Sequence, residues 1–354
     1  MPLLATLGAG AIGSYMTVRN RENWDEEPRM ILLLTNDGTF AYNFSFNQGL
    51  SNVTTTYITT AAPRSAGSPE RIRASDTTNL VASGGWAGAS GVVRAAAFDT
   101  TTTPFTQYNK NSLPIGSSGN ALGAEAAADS NDNYVYFTSS TAGGGFAKEL
   151  DNYTAISGFG NYDPICFRHN RLYHWDAATS TIRVYPSGST SAIWTSGASP
   201  FGSGNTSIQS IKSSAKNAPS SNSNIYTPEI MVWAGATSYT YIQKAEANNT
   251  LSNVATLNYT STTDAQAVTR NGSIVCIAQS TSPYTIRFYS EPNYDTPIAS
   301  FNPTGLVRSL DVFKNGKVIA ITTANNNLDI YTINGNLLSR QFLDTTSYSL
   351  AVLY

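Results

Sequence analysis

An all-β repeat fold is what the sequence predicts, and three observations predict it. Residues 306–342 read as four short apolar-alternating runs rich in Val, Ile and Tyr, linked by the turns Lys314-Asn315-Gly316 and Asn334-Gly335. Runs of this kind separated by Asn-Gly signals are hairpin-linked antiparallel strands, four of which make one small sheet. The same arrangement recurs along the chain, with second strands expected to begin at residues 31, 80, 134, 172, 230, 274 and 318, in steps of 38 to 58 residues. Beyond residue 30 no stretch carries the apolar period of an amphipathic helix.

A four-stranded unit of roughly 40–50 residues is the period of a propeller blade, and seven units fit. The first takes in residues 31–35, the turn Asn36-Asp37-Gly38, then 39–44 and 53–60. The second begins at Arg71 and continues through 80–82, 92–98 and 105–108. The third has 124–128, 134–137, 146–150 and 153–156; the fourth has 165–168, 172–175, 181–185 and 192–195. The fifth has 208–211, 230–233, 239–242 and 254–257, and the sixth has 265–268, 274–278, 285–289 and 297–301. The seventh has 307–313, 317–323, 328–331 and 337–342. Thr181-Ile182-Arg183-Val184-Tyr185 and Thr285-Ile286-Arg287-Phe288-Tyr289 are the strongest internal match.

The first unit lacks an innermost strand, since residues 22–28 read as loop, while residues 348–354 form a spare strand at the other end. Putting that strand inside the first unit closes the ring and leaves few exposed edges. The expected fold is therefore a seven-bladed β-propeller over residues 30–354, closed by the C-terminal strand pairing in the first blade. Residues 1–29 are expected to form a non-propeller N-terminal anchoring segment and loop. Two packed sheets in separate domains are the alternative, which the repeat spacing and the spare strand disfavour.

Composition narrows the function classes. Charged residues are 12% of the 354, against about a quarter in ordinary domains, and the formal net charge is -2. Neither the charge nor any basic stripe favours nucleic acid. Nothing reaches about eighteen consecutive apolar residues, so no membrane insertion is expected. The N-terminus has no basic region before its apolar residues, so a cleaved signal peptide is not expected. Cys166 and Cys276 are too few for a disulfide framework, and both are expected as buried unpaired thiols.

Motifs that carry chemistry fall short one by one. Gly8-Ala9-Gly10-Ala11-Ile12-Gly13 is a formal G-x-G-x-x-G match, with Asp37 near the place of a ribose-binding acid, but the later chain offers no helices to build a parallel sheet around it. Cys166 and His169 have a metal-like spacing, yet only His174 remains as a further histidine; His169 reads as a turn residue and His174 as a strand residue. Thr35-Asn36-Asp37-Gly38-Thr39-Phe40 is similar to the aspartate-box turn of sialidase-like propellers, but lacks the residue between Asp and Gly and does not recur. Asp129-Ser130-Asn131-Asp132-Asn133 starts like a calcium loop, but Tyr134 stands where the glycine belongs. No cofactor, no metal site and no catalytic residue is expected, and the chain reads as a non-enzyme.

Trp24, Trp86, Trp175, Trp194 and Trp233 offer flat faces for sugar rings. Trp175 and Trp233 sit in second strands and are expected in the core. Trp86, in Gly84-Gly85-Trp86-Ala87-Gly88, is the exposed candidate for glycan contact. The long Ser/Gly/Asn/Pro-rich gaps at 109–123, 196–206 and 213–228 are expected surface loops where specificity would lie.

The repeat resembles β-propellers in general, but not WD-repeat or kelch families, because Trp175-Asp176 and Gly84-Gly85 each occur once. Leu7-Gly8-Ala9-Gly10-Ala11-Ile12-Gly13-Ser14-Tyr15 resembles the Gly/Ala-rich opening of many tailed-bacteriophage virion proteins, although the arginine common in that phrase is absent. The low-charge, Ser/Thr/Asn-rich β composition is similar to that of phage tail and decoration proteins. The resemblance implies a tail-associated structural or attachment protein of the virion, assembled in the host cytoplasm. It would dock on other virion proteins through residues 1–20, with Leu3, Leu4, Leu7, Ile12, Tyr15 and Met16 buried in a partner's groove. The alternative for this segment is a strand or plug packed on the propeller's own face. The alternatives for function are a propeller that recognises host-surface glycans and, after it, a glycan-cleaving enzyme.

Overall fold

The computed structural model describes strands between residues 30 and 353, together with most of the connections after residue 152. Residues 1–29, much of the connecting chain before 152 and shorter stretches after it, of which 216–228 is the longest, lie outside the described residues.

The first sheet contains β1 (Met30–Thr35), β2 (Gly38–Phe46) and β3 (Val53–Thr59). The second contains β4 (Pro69–Ala74), β5 (Leu80–Ala87), β6 (Val92–Asp99) and β7 (Thr106–Tyr108). The third contains β8 (Glu125–Ala128), β9 (Tyr134–Ser139), β10 (Gly143–Lys148) and β11 (Asn152–Ile156). The fourth contains β12 (Ile165–Arg168), β13 (Arg171–Asp176), β14 (Thr181–Pro186) and β15 (Trp194–Thr195). The fifth contains β16 (Ile208–Ser213), β17 (Ile230–Gly235), β18 (Thr240–Ala245) and β19 (Leu251–Leu257).

Eight more strands follow in two groups of four. They are β20 (Ser261–Val268), β21 (Ile274–Gln279), β22 (Ile286–Ser290) and β23 (Ala299–Phe301), then β24 (Val307–Phe313), β25 (Val318–Thr323), β26 (Asn327–Thr332) and β27 (Leu337–Phe342). A single parallel bridge between Asp264 and Ser309 joins the two groups into one eight-stranded sheet. The last strand, β28 (Ser347–Leu353), returns to the first sheet and gives it the order β28-β1-β2-β3. This is an all-β fold of propeller type, built from four-stranded antiparallel units.

The second strand of each unit is apolar throughout because both of its faces are covered. In β17, Ile230 and Val232 pack towards Val275, Ile277 and Tyr289. Met231 and Trp233 of the same strand face the other way, towards Tyr173, Trp175 and Phe201. In β25, Ile319 and Ile321 meet Phe288 and Val307, whereas Val318 and Ala320 meet Ile31, Leu33 and Leu350. Successive strand residues point to opposite faces, so a strand buried between two sheets loses the polar half of its alternation. Fourth strands lie at the rim, and the outermost residues of β27, Leu337 and Phe342, are exposed.

Two glycines show how closely the units stack. Gly316 and Gly335 have φ of +83° and +82°, and a Cβ on them would come within 2.3 Å of Ile274 and 2.6 Å of Phe301, both side chains of the preceding unit. Only glycine offers the left-handed turn without that clash.

The C-terminal strand is held on both of its edges. On one side β28 pairs antiparallel with β1, Leu32 opposite Ala351 and Leu33 opposite Leu350. On the other, Leu350 N donates to Ser309 Oγ (2.9 Å) and Val352 N donates to Asp311 Oδ2 (3.3 Å). Alternate side chains of β24 thus accept from alternate amides of β28, which would otherwise be an open sheet edge.

Candidate functional site

First strands of neighbouring units pack side by side: β12 lies beside β8 and β16, β16 beside β20, β20 beside β24, and β24 beside β28. Their polar side chains therefore meet near the middle of the molecule. In β12 burial alternates, with Ile165 and Phe167 buried and Cys166 and Arg168 half-buried. Lys212 of β16 and both Arg308 and Asp311 of β24 are likewise half-buried between buried neighbours. In a chain with 12% charged residues, this many on first strands marks the place.

Ser213 links two of the strands. Arg168 Nε donates to Ser213 Oγ at 3.1 Å, and Cys166 Sγ lies 3.2 Å from the same oxygen. Asp311 is the group most affected by its setting. Loss of water raises its pKa above the ordinary carboxyl value; Lys212, the amides of Val312 and Val352, and Arg168 oppose that rise in this order. Asp311 Oδ1 accepts from Val312 N at 2.8 Å. The Cys276 thiol, buried and near the Asp311 charge, is pushed well above its usual value and stays protonated. Two cations acting on one poorly hydrated carboxylate can bind an anion and move a proton beside it.

The residues singled out in the sequence are scattered by the fold. Leu3, Leu4, Leu7, Ile12, Tyr15 and Met16 lie outside the described residues, as do Trp24, His169 and the stretch 129–133. Trp86 belongs to β5, opposite Val93 of β6, because the strand continues through Gly84 and Gly85 where the sequence was read as ending at Ala82. His174 is a strand residue as expected; it is wholly buried, its Nε2 2.8 Å from Asp163 Oδ2 and its ring stacked on Phe159. Trp175 and Trp233 are core residues, both 0% exposed. Neither cysteine forms a disulfide, but only Cys276 is buried; Cys166 is half-exposed at the centre, because it sits on the open face of a first strand. No group of His, Cys, Asp and Glu suited to a metal occurs among the described residues.

Arg168, Lys212 and Asp311 were passed over as ordinary strand residues. Their signal is positional: each is a charge near the C-terminal end of a predicted first strand.

No family model matches the chain, and no curated protein is similar to it in sequence. Solved structures are similar in fold. A candidate 6-phosphogluconolactonase from Bacteroides uniformis superposes with a TM-score of 0.65 at 12% identity, over 93% of this chain and 100% of the other. A Lactobacillus plantarum protein gives 0.63 at 14% identity over 93% and 100%. A functionally unknown protein from Desulfotomaculum acetoxidans gives 0.57 at 11% over 92% and 99%. The first of these overturns the expectation of a non-enzyme, since it places the chain's architecture among folds that carry a candidate lactonase. Absence of a familiar motif is no argument against catalysis on such a scaffold.

Proposed function

We propose that the chain is a seven-bladed propeller whose centre binds a sugar-acid anion, and that it opens the corresponding lactone. Support for seven blades and closure comes from the first strands, which adjoin in the circuit β28, β4, β8, β12, β16, β20, β24 and back to β28. The pairing of β28 with β1 supports the closing blade. The observation that carries the ligand reading is the convergence of Arg168 and Lys212 on the desolvated Asp311. The candidate lactonase of the same fold supplies the substrate class.

In this reading Arg168 and Lys212 hold the carboxylate or phosphate of the ligand, with geometry that favours Arg for the planar oxyanion. Asp311, its basicity raised by burial, takes a proton from water as the hydroxyl adds to the lactone carbonyl. The ring C–O bond then breaks, and the ring oxygen leaves with that proton to give the open-chain acid. Hydrolysis of 6-phosphogluconolactone, followed by acid release, tests this. The expected result is acceleration by the wild type and its loss in Arg168→Ala and Asp311→Asn. A rate equal to the uncatalysed one overturns the lactonase reading.

A second proposal concerns residues 1–29, and its motive is the phrase Leu7-Gly8-Ala9-Gly10-Ala11-Ile12-Gly13-Ser14-Tyr15. Here the segment docks the propeller on a phage particle by burying Leu3, Leu4, Leu7, Ile12, Tyr15 and Met16 in a neighbouring subunit, while the blades face outward and Trp86 contributes to host-glycan recognition. Deleting residues 2–18 is expected to leave a folded chain that no longer sediments with particles. Unchanged sedimentation removes the anchor.

A further inference from the structure

A cavity of about 320 Å³ opens between the fifth unit and the one that follows it. Its wall is formed by Glu229 and Ile230 at the start of β17, Asn271, Gly272 and Ser273 in the turn from β20 to β21, and Glu291 and Tyr294 between β22 and β23. All three segments are turns at the same end of their strands, and Gly272 keeps the wall open: its φ is +74°, with Glu229 Oε2, Ile230 and Ser214 each 3.5 Å from where a Cβ would be.

Tyr294 distinguishes this hollow from a mere acidic patch. The residue is 3% exposed, and its hydroxyl has no hydrogen-bond partner among the described residues. Burial, and after it the charge of Glu229, push its pKa up to about 12, so the phenol is a standing donor. A buried donor left unmet costs about 1–3 kcal/mol, a cost relieved when a ligand supplies the acceptor.

We propose that this cavity binds a neutral polyhydroxyl ligand of the hexose class, with Tyr294 donating to a sugar hydroxyl that in turn donates to Glu229. Other ligand chemistries fit worse. An anion is repelled by Glu229, while Glu291 is engaged by Lys244. A bare metal or ammonium cation satisfies the carboxylates but offers the phenol no acceptor. A hydroxyl accepts and donates at once, and Ile230 with the Tyr294 ring gives an apolar face for the sugar's C–H side. Ser273 Oγ, held by Asn271 Oδ1 at 2.7 Å, is positioned to serve a second hydroxyl. The site stands apart from the central cluster and does not depend on its assignment.

Saturation-transfer NMR on the full chain with D-glucose, D-galactose, D-mannose and N-acetyl-D-glucosamine, each at millimolar concentration, tests it. At least one sugar is expected to give transfer, and Tyr294→Phe, which keeps the packed ring, is expected to weaken it by about tenfold. Glu229→Gln is expected to weaken the same sugar. No transfer to any of the four, or transfer unchanged in both variants, overturns the proposal.

Discussion

The fourth unit and the sixth carry the same pentapeptide pattern and the same register, yet they are held by different chemistry. His174 opposes Arg183 in one, and Ile277 opposes Arg287 in the other. In the fourth unit Arg183 pairs with the buried Asp176 at 2.5 Å, and Asp176 also accepts from Ala178 N, Thr179 N and the Thr179 hydroxyl. In the sixth, Arg287 Nη1 donates instead to Gln279 Oε1 at 2.8 Å. The repeated arginine keeps its task, which is to cover the end of the second strand, while its partner changes from ionic to neutral. A backbone register is thus inherited by every unit, and polar content is a local choice.

The comparison can be broken from either side. Asp176→Ala is expected to cost most, about 3–5 kcal/mol, because it strips the turn amides and Arg183 of a buried acceptor; denaturant unfolding measures it. His174→Ile, which copies Ile277, is expected to cost about 1–3 kcal/mol by removing the donor that faces Asp163 Oδ2. Gln279→Ala should cost about 1 kcal/mol, the worth of one ordinary hydrogen bond at a half-buried site. If the Gln279 variant proves as costly as the Asp176 one, the distinction between ionic and neutral units fails.

Asp311 yields the smallest effect in stability and the clearest in pH. Its pKa is higher in the folded chain than the ordinary 3.8, so the folded state holds the proton more tightly. That stabilisation is complete below the unfolded value and is lost as pH rises through the folded one. Relative to Asp311→Asn, the wild type is therefore expected to lose melting temperature as pH rises from about 4 towards neutrality. A flat difference would mean that the carboxylate is well hydrated.

Much of the fold was legible in the sequence. Runs such as residues 230–235 and 318–323 are apolar without alternation, and glycine turns bound the strands, so their starts were readable to within a residue. The extent of β5 was not, because Gly84 and Gly85 read as breakers although a backbone ladder needs no side chain to continue. The central cluster was hidden for another reason. Arg168, Lys212 and Asp311 lie far apart along the chain, and only the packing of first strands brings their fields together. Glu229 and Tyr294 were hidden likewise, meeting across two units from unremarkable turns.

Calorimetric titration of the purified chain with 6-phosphogluconate tests the central claim most directly. Binding is expected for the wild type, weakened at least about tenfold in Arg168→Ala and again in Lys212→Ala, the loss of one charge-assisted contact each. Absence of binding to the wild type, or affinity untouched by both substitutions, would contradict the assignment of the ligand site to the centre of the propeller.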